Sequence, residues 1–199
     1  DLMSTARDLL LEIKRQMGKV NAAEPEETDV FAFLNRALEG IWNYGARLNS
    51  PVLFRHEVFT SPDGGTVQIP GGGAMKVRSV RDCDSGLLLP SVTLDYAEAA
   101  PLASGRRCYV AYPARVDIYP LDMPVTAEIT YLPFFSRIKD RADELPFSPE
   151  LDNSVVALVV GMMGGAEPDE LMSRVRYGNA VSRYFRPRGA DCVVCRGPW

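Results

Sequence analysis

The spacing of apolar residues changes twice along this chain, and that switch restricts the possible folds more than any single motif. From the start, Leu2, Ala6, Leu9, Ile13 and Met17 recur at every third or fourth position, with Arg7, Asp8, Glu12, Lys14 and Arg15 between them. This is the period of an amphipathic helix of about four turns. "NAAEPEE" from Asn21 is a polar break, and Thr28 or Asp29 is placed to cap a second helix by accepting from its orphan N–H groups. That helix carries Val30, Leu34, Ala37, Leu38, Ile41, Trp42 and Leu48 on one face, and Asn49-Ser50-Pro51 stops it.

The period then falls to two. "VLFRHEVF" alternates, "SPDGG" signals a tight turn and "TVQIP" reads as the return strand, which together predict a hairpin. "MKVRSV", "RCYVAY", "RVDIYP" and "VTAEITYL" continue the β pattern between Gly and Pro turns, predicting a meander of roughly five to seven strands. Past Pro133 the helical period returns. In "FSPELDNSVVALVVGMM" Ser148 is the expected cap and Pro149 the first helical residue, where its missing N–H costs nothing. Gly164-Gly165 ends that helix, and Glu167 to Phe185 predicts a last one burying Leu171, Val175, Ala180, Val181, Tyr184 and Phe185.

Two helices, a β stretch and two helices give an α+β class, because strands and helices do not alternate as a parallel sheet would need. The expected architecture is a bundle of about four helices with an antiparallel β insert, a meander or small sandwich, between the second and third. Residues 1–50 and 147–185 would form the helical domain, 51–146 the β insert and 186–199 a C-terminal arm. A chain of 199 residues with 46% hydrophobic content is long enough to bury a sizeable core, which predicts one compact domain or a core with one attached subdomain.

The net charge of −4 argues against a general nucleic-acid binder, which would show a basic excess. The richest apolar run, "VVALVVGMMGG" from Val155, falls short of the roughly 18 residues of a membrane span, so a soluble chain is expected. The sequence opens at Asp1 with neither an initiator Met nor a signal-peptide pattern, which suggests a trimmed or offset start and no secretion.

Four cysteines, Cys83, Cys108, Cys192 and Cys195, are too few for a secreted disulfide framework, and reduced thiols are the default. Cys192 and Cys195 have the spacing for two thiolates on one zinc, but a tetrahedral site needs four ligands and no second knuckle exists. A redox dithiol would want a helix N-terminus to lower its thiol pKa, whereas this pair follows the last helix. His56 is the single histidine, set in a strand pattern with no nucleophile or orienting carboxylate indicated beside it, so a structural or surface role is expected. "PGGGAMK" at Pro70 lacks the Gly-Lys-Ser/Thr ending of a phosphate loop and leads into a strand, which makes it a turn. "KDRADE" at Lys139 mixes both signs and reads as a solvated loop. These residues predict no catalytic residue, metal or cofactor.

Several stretches together resemble the head-to-tail adaptor (connector) proteins of tailed bacteriophages, the family of tail tubular protein A-like and head-completion adaptors. "FLNRALEGIW" from Phe33 is similar to the family's first long core helix, and "TVQIPGGGAMKVRSV" from Thr66 to its Gln-x-Pro strand ending and following Val strand. "YVAYPARVDIYPLDMPVTAEITYLPFF" from Tyr109 carries the Ile-Tyr-Pro and Tyr-x-Pro punctuation, "ELPFSPELDNSVVALVVGMM" resembles the pre-helix segment, and "RYFRPRG" the end of the last helix. The resemblance runs over roughly residues 30–185, although "GMMGGAEP" interrupts the penultimate helix earlier than in the family.

What the resemblance implies is a non-enzymatic structural protein. It would form a ring, commonly a dodecamer, between the portal and the tail or nozzle protein, in virions assembled in the host cytoplasm. Helices would build the ring wall and the β insert would project toward the next tail component. Genomic DNA would pass through an acidic channel without sequence-specific binding, and no membrane would be involved. The arm would dock on the portal, with Arg186, Arg188 and Arg196 pairing to acidic surface, Pro187 restricting the chain, Trp199 as anchor, and Cys192 and Cys195 as small apolar thiols in a docking strand. The alternatives are another neck or tail-terminator component and, from a different class, a metal or thiol enzyme.

Overall fold

The computed structural model describes residues 4–19, 26–99, 107–167, 170, 171, 173 and 179–186. These belong to a mixed α+β chain that divides into two compact units, one drawn from Asp1–Val52 and Arg137–Trp199 and the other from Leu53–Ser136.

The first unit is helical: α1 (Ala6–Lys19), α2 (Glu27–Arg47), α4 (Asp152–Met163) and α5 (Asn179–Phe185). α1 buries the expected Ala6, Leu9, Ile13 and Met17 and, beside them, Leu10, while Leu2 lies outside the described residues; α2 buries Val30, Leu34, Ala37, Leu38, Ile41 and Trp42 of its expected stripe. Both pack on α4. Leu48 departs from the expected face: it follows the last helical residue as the C-cap and is exposed. α2 begins at Glu27, so Thr28 and Asp29 lie inside its first turn rather than capping it, where the Asp29 charge faces the positive end of the helix dipole. Pro149 opens a 3-10 turn, Pro149–Leu151, that leads into α4, with Ser148 extended before it but making no side-chain cap bond. Gly164 is the C-cap of α4, and Gly165 follows at φ +83.

An aromatic cluster closes this core. Phe147 meets Trp42, Phe185 and Tyr184 at centroid distances of 6.1, 5.9 and 6.2 Å, the last two edge-on as ring quadrupoles favour. Of the expected buried set of the last helix, Val181 and Phe185 are buried, Tyr184 and Leu171 are half-buried, Ala180 is exposed, and Val175 lies outside the described residues. Residues 137–146, expected in the β insert, pack with the helices. Asn35 donates Nδ2–H to the Ile138 carbonyl (2.8 Å) and its Oδ1 accepts from the Ile138 N–H (2.7 Å), while Ala6 and Arg7 N–H donate to the Asp143 and Arg141 carbonyls.

The second unit holds β1 (Arg55–Ser61), β2 (Thr66–Gln68), β3 (Ala74–Asp82), α3 (Leu94–Ala99), β4 (Cys108–Ala111), β5 (Arg115–Tyr119) and β6 (Val125–Pro133). Six strands lie where the alternation places them, but their pairing differs from the expected hairpin and meander. β1 and β3 flank β6 in one antiparallel sheet, and β2 and β4 flank β5 in another. "SPDGG" turns a corner between the sheets instead of closing a β1–β2 hairpin. The reason is β6: it is buried through most of its length and offers β1 a seven-residue register, from Arg55↔Tyr131 to Ser61↔Val125, whereas β2 has three residues.

Both sheets contribute to one core, with Ile129, Ala127 and Tyr131 of β6 facing Val67, Val116 and Ile118 of β2 and β5. The segment after β3 joins the sheets along one side. Leu89 N–H donates to Val80 at the β3 edge, then Val92 N–H donates to Tyr109 at the β4 edge. α3 covers the outer face of β4, packing buried Ala97 against Cys108, Val110 and Tyr119.

Candidate functional site

The pairing registers gather three loops at the end of the β unit opposite to where the chain enters and leaves it. Ser61 pairs with Val125 and Asp82 with Ala127, which brings the β1–β2 turn, the loop after β3 and the β5–β6 turn together. Gly65 locks the first turn onto the third. Its N–H donates to the Leu121 carbonyl and its carbonyl accepts from Ile118 N–H, both at 2.8 Å. A Cβ on Gly65 would sit 1.9 Å from the Ile118 carbonyl oxygen, so only glycine fits this approach.

Asp82 organises the second loop. Its carboxylate, almost wholly buried, accepts from Ser85 Oγ (2.7 Å) and Asp84 N–H (3.3 Å), the local bonding that makes aspartate a turn former. Arg107 donates to the same carboxylate at 3.1 Å and to the Pro124 carbonyl at 3.3 Å, tying the loop after β3 to the β5–β6 turn. The loops are therefore held by charge-assisted bonds as well as by the sheets.

On this fixed base stand side chains that belong in a core: Leu87, Leu88, Met123 and Leu121 are 65, 60, 46 and 41% exposed. Exposed apolar side chains on buttressed loops are the chemistry by which protein surfaces make contacts. The arrangement supplies shape and apolar area; the buried charges beneath it hold the backbone.

The residues singled out by sequence fall elsewhere. Of the expected docking arm, Arg186 is exposed just after α5, while Pro187, Arg188, Arg196 and Trp199, with Cys192 and Cys195, lie outside the described residues. His56 sits exposed on the outer face of β1, its Nδ1 3.0 Å from Thr130 Oγ1 on β6. Cys83 is exposed at the loop end, and Cys108 is buried beneath α3, where desolvation pushes its thiol pKa up. Among the described residues no group of three or more His, Cys, Asp or Glu side chains is placed to hold a metal ion, and no helix is long and apolar enough to cross a membrane.

The glycines of "PGGGAMK" form a turn with positive φ at Gly71, Gly72 and Gly73 that enters β3. "KDRADE" is exposed but built. Asp143 accepts from Lys139 and Asp140 N–H at 2.7 and 2.9 Å, which lowers its pKa, and Arg141 forms a bidentate pair with Glu27. Sequence reasoning missed Asp82, Arg107 and the leucines of "DSGLLLP". A three-leucine run directly after a turn signal, outside either periodicity, was the available clue. Compared with known proteins, the chain matches no protein-family model and no curated protein.

Proposed function

We propose that this chain is a structural head-to-tail adaptor of a tailed bacteriophage, a ring-forming, non-enzymatic virion component that joins the portal to the tail or nozzle and surrounds the DNA channel. In this reading α1, α2, α4 and α5 form the ring-wall bundle, and the β sandwich inserted between α2 and α4 carries the contact to the next tail component. The observation that carries it is the loop end of the β unit, where Leu87, Leu88, Leu121 and Met123 are presented on turns fixed by Asp82, Arg107 and Gly65.

Two further features support it. The stretches that resemble the family fall within regular elements: "FLNRALEGIW" in α2, "TVQIPGGGAMKVRSV" across β2, the glycine turn and most of β3, and the Ile-Tyr-Pro segment across β4, β5 and β6. The net charge of −4 suits a channel through which phosphates slide without being gripped. In a ring, many modest contacts act together, so attachment does not need one strong interface.

The test removes residues 186–199. The shortened chain is expected to fold and to lose attachment to the portal; attachment retained in full defeats the docking role of Arg186, Arg188, Arg196 and Trp199.

A further inference from the structure

Each of the three turns at the loop end of the β unit also exposes a carboxylate: Asp63 on the β1–β2 turn, Asp84 after β3, and Asp122 between Leu121 and Met123 on the β5–β6 turn. The cations that reach this end among the described residues are committed to other groups. Arg107 lies 3.1 Å from buried Asp82 and approaches Asp84 only at 3.9 Å, and the Asp84 side chain is 70% exposed. Arg81 donates to the Gly86 carbonyl at 2.9 Å and lies 3.5 Å from Glu128. Asp63, Asp84 and Asp122 therefore form an acidic margin to the exposed Leu87, Leu88, Leu121 and Met123, on a backbone held by the Asp82 and Gly65 bonds.

This combination discriminates among occupants. A nucleic acid or an anionic bilayer brings negative charge of its own and is repelled. A second copy meeting the same surface sets acid against acid, because a two-fold contact pairs a patch with itself. We infer that the loop end receives a basic amphipathic segment of a different protein, its apolar side chains covering the leucines and Met123 and its Lys or Arg side chains pairing with Asp63, Asp84 and Asp122. The turns are already fixed, so little ordering cost falls on this side of the contact. The acids stand at an exposed margin, so they steer the partner and set its register, and salt weakens their pull. The inference rests on the adaptor reading for equating this partner with the next tail component and adds the chemistry by which that component is recognised.

The test titrates the full chain into two labelled synthetic helical peptides with the same leucine face, one with lysine and the other with glutamate at its polar positions, and follows fluorescence anisotropy. The wild type is expected to bind the lysine peptide at least about tenfold more tightly than the glutamate peptide, and less tightly as salt rises. Leu87→Ser with Met123→Ser, and separately Asp63→Lys with Asp122→Lys, are each expected to weaken that binding by about tenfold. Asp95→Lys with Glu98→Lys makes the same change of net charge on exposed positions of α3 and should leave binding within about twofold. Circular dichroism checks that each variant is folded. Equal affinity for the two peptides, or an equal loss from the α3 variant, overturns the inference, as does tighter binding to anionic lipid vesicles or duplex DNA than to the lysine peptide. A chain that forms rings on the portal but does not prefer the lysine peptide loses this partner chemistry and keeps the adaptor reading. Loop-end binding of the lysine peptide by a chain that never attaches to portal does the reverse.

Discussion

Replacing Arg107 by alanine removes a side chain that bonds both to buried Asp82 and to the turn before β6. Arg107 is about one-fifth exposed and the Asp82 carboxylate 5%, so water cannot fully replace the lost partner. A charge-assisted hydrogen bond is worth about 1.5–3 kcal/mol, and breaking a fully buried ion pair costs about 3–5 kcal/mol. Asp82 keeps its bonds from Ser85 and Asp84, and Asp84 offers the guanidinium only a second, longer approach at 3.9 Å, so the lower part of that range applies. We expect Arg107→Ala to destabilise the β unit by about 2–3 kcal/mol. Urea unfolding measures it, and pairing Arg107→Ala with Asp82→Asn in a double-mutant cycle should show coupling of at least about 1 kcal/mol. A loss under about 0.5 kcal/mol with no coupling, the behaviour of a surface ion pair, would refute the view that this network holds the loop end.

Gly65→Ala forces a Cβ to within 1.9 Å of the Ile118 carbonyl oxygen and should cost about 3 kcal/mol in urea unfolding, the upper end for overpacking. Gly71→Ala meets no atom within 4 Å and carries only the strain of φ +70, about 1 kcal/mol. Acid should destabilise the helical unit through Asp143 and Asp8, whose pKa values are lowered by donors at Lys139 and Asp140 and at Thr5. A lowered carboxylate pKa means stability that is present above the unfolded value of 3.8 and lost as pH falls through the folded value, so Asp143→Asn should flatten the stability profile below about pH 4. Leu87→Ser with Met123→Ser should leave urea stability within about 0.5 kcal/mol of wild type, as exposed positions do, while weakening capture of the tail or nozzle protein in a pull-down.

How far the sequence could be read followed from how local each determinant is. The stripes of α1 and α2 are set within a few turns, and most of their buried residues emerged directly from the three-to-four spacing, Leu10 and Leu48 being the exceptions. Strand positions were legible for the same reason. Strand partners were not: β1 finds its mate in β6, with Arg55 opposite Tyr131, and no local turn signal encodes a pairing across that separation. The "SPDGG" turn is real, but the burial of β6 outranks it. The exposed leucines of the loop end were hidden for a related reason. Leu87 and Leu88 resemble core residues until the fold shows the segment running along the edge of β3, and Asp82 with Arg107 becomes a pair only when β3 and β4 are brought together. The residues that sequence reasoning favoured for docking all stand in 186–199, of which the structure describes Arg186 alone.

The adaptor account is tested most directly by the mass of the purified full chain, dilute, with and without portal. It predicts a monomer alone and a closed ring of copies on the portal. A chain that stays monomeric in the presence of portal, or that shows no binding to it, contradicts the account.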